Sequence, residues 1–152
     1  MTADRPGVLA PPPLIFLAFL VAGWLLARYA LPPVDVPYGV VIGAVLVVGA
    51  LAFGFWARSE MVRARTNINP YKPATAVVSA GPFRFTRNPL YLSMTVIYVG
   101  VALMLHAVAA VILLPVVILV ITFGVVRREE TYLEGKFGVQ YSEYRRRVRR
   151  WL

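Results

Sequence analysis

One segment of this sequence constrains the fold more than any other. Residues 88–126 form a run of 39 residues without a single Asp, Glu, Lys or Arg. A continuous α-helix of that length would measure about 60 Å at about 1.5 Å per residue, which is twice the roughly 30 Å of a bilayer hydrocarbon core. The run must therefore fold back once, most simply at residues 105–109 beside His106, the single histidine of the chain. The sequence thus predicts an apolar helical hairpin.

The composition extends this interpretation to the whole chain. Hydrophobic residues make up 59% of the 152 residues and charged residues only 15%, whereas soluble domains have about 25% charged residues. A soluble fold of this size has too small a core to bury so much apolar surface, and disordered or coiled-coil chains are far more polar. The lack of Cys and the single His exclude disulfides, iron–sulfur clusters and multi-histidine metal or haem sites, so no metal is expected.

Two further apolar segments precede the hairpin. Residues 14–31 contain only Arg28, whose charge can reach the headgroups from the end of a helix, and residues 36–57 contain no charge. We therefore predict an all-α integral membrane bundle with about four transmembrane helices and a C-terminal amphipathic interfacial helix. The single membrane domain, residues 1–152, has spans at about 14–31, 37–57, 89–105 and 109–127, a loop at 58–88 and a tail at 128–152. No small-residue cleavage site follows the first apolar run, so we expect it to be retained.

The distribution of basic residues predicts the orientation. Fifteen of the 16 Lys and Arg residues fall on one side of these spans, at Arg5, in loop 58–88 and in the tail. Cytoplasmic loops carry such an excess, so we expect both termini, the loop and the tail in the cytoplasm. Arg outnumbers Lys 14 to 2, which hints at a GC-rich genome and favours a bacterial inner membrane. The net charge of +9 then reflects topology and lipid contact, and no nucleic-acid partner is predicted.

The first polar segment of interest is residues 66–91. Asn88–Pro89 is a typical helix start, because Asn caps N-terminal N–H groups and proline fits the first helical position. The third span would then begin at Pro89, and its positive dipole end would favour an anionic group. The alternative is a capped helix that only meets lipid headgroups.

The second polar segment is the tail. Successive apolar residues are separated there by four, three, four and three positions. This spacing indicates one stripe on an amphipathic helix that lies on anionic lipid. The stripe consists of Phe137, Tyr141, Tyr144, Val148 and Trp151. Gly138 is expected to end the preceding helix. Glu129 and Glu130 lie at the membrane margin, where acidic groups are paired or functional. They could form a surface Arg–Glu network, or one of them could bind a ligand.

Both segments carry motifs of a known superfamily. GPFRFTRNPLY (Gly81–Tyr91) resembles the G-P-Y-x-x-x-R-H-P-x-Y motif of the isoprenylcysteine carboxyl methyltransferase and phospholipid methyltransferase superfamily. EETYLEGKFGVQYSEYRRRV (Glu129–Val148) resembles its E-E-x-x-L-x-x-x-F-G-x-x-Y-x-x-Y motif. The resemblance covers residues 75–152. It implies a membrane methyltransferase that uses S-adenosylmethionine without a Rossmann domain, and no G-x-G-x-x-G occurs in this chain.

The resemblance also implies site residues. Cofactor contacts are expected at Thr75, Ala76, Val77, Val78, Phe83, Asn88, Pro89, Leu90, Tyr91 and Glu129. Tyr91, Arg87 and Glu130 are the candidate catalytic residues. Adjacent helical residues point about 100° apart, so Glu129 and Glu130 cannot both face one small pocket equally. The resemblance implies that the first, Glu129, faces the cofactor. Glu130 would then make an exposed ion pair with Arg127 or a tail arginine.

Departures from the motifs limit what can be carried over. Asn88 stands where His is usual, Phe83 where Tyr is common and Ser93 where Gly is frequent. Val125 occupies the position of the substrate-binding Arg of the eukaryotic carboxyl methyltransferases, so the resemblance implies only a lipid or small apolar methyl acceptor. The alternative is a non-catalytic four-helix scaffold or cofactor-binding sensor. A transporter is disfavoured because no ionisable group lies in the middle of a span except His106, which we place at the far turn as an interfacial residue.

Overall fold

The computed structural model describes residues 7–32, 34–69 and 71–152, and these hold α-helices and no strand. The helices are α1 (Pro12–Tyr29), α2 (Gly39–Arg63), α3 (Pro89–Met104), α4 (Val108–Ile121), α5 (Arg127–Phe137) and α6 (Val139–Arg147). A 3₁₀ turn, Gly81–Arg84, precedes α3. A π-helical turn, Thr122–Val126, joins α4 to α5 without a break. The predicted all-α membrane bundle is thus confirmed.

Three helices are long and apolar enough to cross a membrane: α1, α2 and the continuous 30-residue helix Val108–Phe137. The apolar helix α3 is shorter, at 16 residues. At about 1.5 Å per residue the 30-residue helix measures about 45 Å, well beyond a hydrocarbon core of about 30 Å. Its polar last part, α5, therefore extends past the apolar layer.

The helix boundaries follow the sequence pattern with two extensions. The hairpin turns at residues 105–107, where His106 adopts a φ of 51°, as the sequence predicted. Helix α2 continues six residues past residue 57, to Arg63. The helix after the hairpin passes residue 127 and ends at Phe137, where Gly138 with a φ of 51° stops it as predicted. Both extensions carry polar residues, whose backbone hydrogen bonds can continue outside the membrane.

Small residues bring the helices close together. A Cβ atom at Gly43 of α2 would collide with the carbonyl oxygen of Gly100 in α3, and one at Gly23 of α1 would collide with Ala110 of α4. The Ser93 hydroxyl also donates a 2.7 Å hydrogen bond to the carbonyl oxygen of Ala50. Close packing and interhelical hydrogen bonds of this kind stabilise helix pairs in lipid. The outer faces of α1 and α2 stay apolar and exposed, as lipid-facing surfaces are.

The C-terminal helix packs on the protein. Helix α6 ends at Arg147, and Val148 is extended, so the helix is shorter than the apolar stripe suggested. Tyr141 and Tyr144 are buried against Ala57 and Phe83, so this part of the stripe faces inward and not toward lipid. The tail beyond α6 is thereby brought against the segment just before α3.

Candidate active site

An open cleft lies where α5 leaves the bundle, bounded by the end of α2, the loop after it, the start of α3 and helices α5 and α6. Its empty volume, counted together with the open mouth, is about 880 Å³. The structure places most of the predicted residues on its wall. These are Ala76, Val77, Val78, Phe83, Arg87, Asn88, Pro89, Leu90, Tyr91, Glu129 and Glu130.

Thr75 is the one predicted residue that does not line the cleft. Its hydroxyl donates a 2.6 Å hydrogen bond to the carbonyl oxygen of Arg65. Its backbone N–H donates to Oγ1 of Thr66 at 3.1 Å. Thr75 therefore ties the loop to the end of α2, beside the residues that form the wall.

Tyr91 and Glu129 join the two motifs across the cleft. The Tyr91 hydroxyl, on the first turn of α3, donates a 2.7 Å hydrogen bond to Oε1 of Glu129 on α5. Burial raises the pKa of Glu129 from 4.5 to about 7; the hydrogen bond from Tyr91 opposes this rise and the charge of Glu130 adds to it. Glu129 lies beyond residue 127, in the part of the helix that extends past the apolar layer. Its carboxyl group can therefore gain or lose a proton near neutral pH.

Glu130 has a different environment. Its residue surface is only 6% exposed, and its two carboxylate oxygens accept hydrogen bonds of 3.0 and 2.7 Å from the guanidinium group of Arg150. Nη1 of Arg87 lies 3.2 Å from Oε1 of Glu130, with both side chains 8% exposed. The predicted pairing with a tail arginine is confirmed, but the expected surface pair is wrong. The tail folds over the cleft wall and buries the cluster.

Asn88 occupies the N-cap position of α3, and its backbone carbonyl oxygen accepts a 2.9 Å hydrogen bond from the N–H of Leu92. Its side chain makes no capping hydrogen bond, although Pro89 occupies the first turn as expected. Instead Nδ2 of Asn88 donates a 2.9 Å hydrogen bond to the carbonyl oxygen of Arg150, which also accepts a bond from the Thr86 hydroxyl at 3.1 Å. The predicted helix start is therefore confirmed, but the expected side-chain cap is absent, because the incoming tail offers the amide a buried acceptor.

Sequence reasoning missed part of the wall. The additional lining residues are Met61, Thr66, Asn67, Ile68, Asn69, Lys72, Ala74, Tyr132, Leu133, Tyr141 and Tyr144. The two tyrosines of α6 belong to the second motif, and that membership was a usable signal. The Tyr144 hydroxyl donates a 2.8 Å hydrogen bond to the carbonyl oxygen of Phe83. The loop residues 66–74 form no comparable pattern and became recognisable only in the folded chain.

The chemistry of the cleft suits an organic cation with an apolar part. Among the described residues the Glu129 carboxyl group has no arginine partner, and the apolar side chains of Val77, Phe83 and Leu90 line the same cleft. Burial raises the pKa of Tyr141 to about 12, so its hydroxyl stays protonated at neutral pH. Among the described residues, no three His, Cys, Asp or Glu side chains come together as a metal site.

Comparison with known proteins identifies the family. A protein of Haemophilus influenzae with no characterised function is 44% identical over 63 residues, which cover 41% of this chain and all of that protein. No solved structure matches the chain significantly. The profile of the family described as phospholipid methyltransferase matches residues 38–140, which include the first motif, the hairpin and both carboxylates. The chain therefore belongs to the phospholipid methyltransferase family, as its two motifs predicted.

Proposed function

We propose that this protein is an integral membrane methyltransferase that transfers a methyl group from S-adenosylmethionine to a lipid or small apolar acceptor. The reaction takes place at the cytoplasmic membrane interface, with both termini in the cytoplasm of a bacterial cell. Family membership implies methyltransferase activity. The observation that carries the rest is the Tyr91–Glu129 hydrogen bond of 2.7 Å, which joins both motifs inside one open cleft.

The residues of the cleft fit this cofactor. S-adenosylmethionine combines a sulfonium and an ammonium cation with an aromatic base, and it supplies an electrophilic methyl group for in-line displacement. Glu129 provides a half-buried carboxyl group without an arginine partner among the described residues. Apolar side chains on the same cleft wall are available to the aromatic part. The residues that would hold the cofactor are Ala76, Val77, Val78, Phe83, Pro89, Leu90, Tyr91 and Glu129.

The chain's own contribution to catalysis is positioning and proton transfer. Holding two reactants in alignment accelerates a displacement without any metal. Glu129, with a pKa of about 7, can hold a proton or accept one from an acceptor group near neutral pH. Arg87 and Glu130 act through the tail in this proposal, because their ion pair and that of Arg150 keep the tail against the cleft wall.

The location of the cleft explains how two unlike substrates meet. It opens at the end of the bundle where α5 extends past the apolar helices. An apolar acceptor can approach from the bilayer, and the polar cofactor from the aqueous side. A site at the margin of the membrane serves both.

Methyl transfer tests this function directly. Purified protein is given radiolabelled S-adenosylmethionine together with membrane lipid extract or small thiols. We expect label in one of these fractions. We also expect Glu129→Gln to weaken binding of S-adenosylhomocysteine about 10–100-fold, since a hydrogen bond to a charged group contributes about 1.5–3 kcal/mol.

The matched control is Glu134→Gln. Glu134 lies on the same helix, but its carboxylate is 44% exposed and pairs with Arg145 at 2.7 Å, so its substitution should leave binding unchanged. No label together with no binding at millimolar S-adenosylhomocysteine would instead indicate the non-catalytic scaffold.

A further inference from the structure

The helix that carries Glu129 contains one irregular turn just before it. Within Thr122–Val126 the backbone is π-helical, and the N–H of Arg127 donates to the carbonyl oxygen of Thr122, five residues earlier. A π-turn of this kind accommodates one extra residue in an α-helix, and such turns occur frequently at functional sites. Every residue after the turn is therefore shifted by one position relative to α4.

This shift decides which side chain faces Tyr91. An α-helix has 3.6 residues per turn, so a one-residue shift rotates the following residues by about 100°. If α4 continued as a regular helix, Arg128 would occupy the present position of Glu129. Glu129 would then occupy the position of Glu130, beside the arginine cluster. The regular helix would place a cation where the structure has a carboxyl group.

An N-terminal strap, residues 7–11, holds this turn from outside. The backbone N–H of Leu9 donates a 3.3 Å hydrogen bond to the carbonyl oxygen of Gly124, inside the turn. Nη1 of Arg128 donates a 2.8 Å hydrogen bond to the carbonyl oxygen of Gly7. Val8 is buried in the same core cluster as Val125 and Val126. The strap thus contacts the turn through both backbone and side chains.

Gly124 is fitted to this contact. A Cβ atom built there would lie 3.1 Å from Cδ1 of Leu9, closer than ordinary van der Waals contact. A side chain as large as leucine at this position would overlap the present position of the Leu9 side chain, so Leu9 would have to move. Arg128 would lose its bond to Gly7 if the helix rotated, so the strap stabilises only the π-turn arrangement.

We propose that the π-turn, held by the N-terminal strap, is a positioning device that directs Glu129 rather than Arg128 toward Tyr91 in the cleft. The proposal rests on the proposed function for its ligand, but the register of α5 is a property of the protein alone. Gly124 and Leu9 are positioning residues, since they act through the helix and do not contact the ligand.

A one-residue deletion and a one-residue insertion test the register of α5. Deleting Phe123, which is exposed, removes the extra residue and leaves Glu129 in place on a regular helix. Inserting Ala after Phe123 adds a second extra residue. We expect the deletion to keep the wild-type dissociation constant for S-adenosylhomocysteine, and the insertion to weaken binding about 10–100-fold, as loss of a charged hydrogen bond would. Equal loss in both variants would overturn the proposal.

A rescue experiment covers the case in which length changes prevent folding. Gly124→Leu should displace the strap and weaken binding, and adding Arg128→Glu should restore it, because residue 128 then faces Tyr91. Failure of Arg128→Glu to restore binding in a folded protein would overturn the proposal.

If the wild type does not bind S-adenosylhomocysteine, the proposed function fails. The register of α5 is then tested by a measurement that needs no ligand. This measurement is the melting temperature at pH 5 and at pH 7. We expect it to fall between these values in the wild type and not in Glu129→Gln. The deletion variant should retain this fall and the insertion variant should lose it; the same pH profile in both would count against the positioning role.

Discussion

Glu129 and Glu130 are neighbours in sequence but lie in opposite environments. Glu130 is buried between two guanidinium groups, while Glu129 has a tyrosine hydroxyl as its hydrogen-bond partner. The first is held in ion pairs with two arginines, whereas burial raises the pKa of the second to about 7. The first therefore serves the structure and the second is suited to chemistry.

Loss of the buried charge should be costly. Glu130→Gln leaves Arg87 and Arg150 without their anion, and removing one partner of a buried pair costs about 3–5 kcal/mol. We expect a clear drop in the melting temperature of the detergent-purified protein. Glu134→Gln is the control, because an exposed pair contributes at most about 1 kcal/mol. Similar melting temperatures for the two variants would contradict the burial of the cluster.

The pKa of Glu129 predicts a pH dependence. The folded protein keeps the Glu129 proton up to about pH 7, whereas the ordinary pKa is 4.5. Folding stability should therefore fall as the pH rises between these values and level off above them. Affinity for a cationic ligand should rise through pH 7, because the ligand prefers the ionised carboxylate. Melting temperatures and dissociation constants from pH 5 to 8 measure both trends, and Glu129→Gln should remove both.

Among the secondary-structure elements, the contact between α2 and α3 depends on glycine. A methyl group at Gly43 has no room against the Gly100 carbonyl oxygen, while one at Gly49 on the same helix meets no atom within 4 Å. Gly43→Ala should destabilise the protein by about 1–3 kcal/mol through overpacking.

Gly49→Ala is the matched control for this contact and should be neutral or stabilising by up to about 1 kcal/mol, since Ala favours the helix. Thermal unfolding of both variants in detergent provides the comparison. Equal effects would mean that α2 and α3 are not in close contact in the membrane protein.

The whole molecule has a predicted topology. Four spans with cytoplasmic termini would place the ends of α1 and α3 on the outer side and the cleft on the inner side. Reporter fusions after Leu31 and His106 should indicate the outer side, and fusions after Tyr71 and Leu152 the inner side. The test is informative for α3, because a 16-residue helix measures about 24 Å, less than the roughly 30 Å of a hydrocarbon core. An outward C-terminus would refute the four-span count.

Much of this protein was determined by the sequence alone. We predicted and found the helical hairpin within residues 88–126, its turn at His106 and the helix stop at Gly138. Such features follow from local chemistry: apolar content sets which segments enter the bilayer, and a glycine such as Gly138 adopts the positive φ that ends a helix at low cost. The resemblance likewise indicated the family, and half of the residues of the cleft wall, before any contact was known.

Only the tertiary structure decided how these residues are used. Asn88 binds the Arg150 carbonyl oxygen, 62 positions away in sequence, and the buried pairing of Glu130 requires the same returning tail. The orientation of Glu129 depends on an extra residue in the turn at 122–126, which no periodicity of the apolar run indicates. These outcomes arise from contacts between distant segments and from helix register. Residue type and spacing do not specify them, because several partners and two registers are compatible with the same sequence pattern.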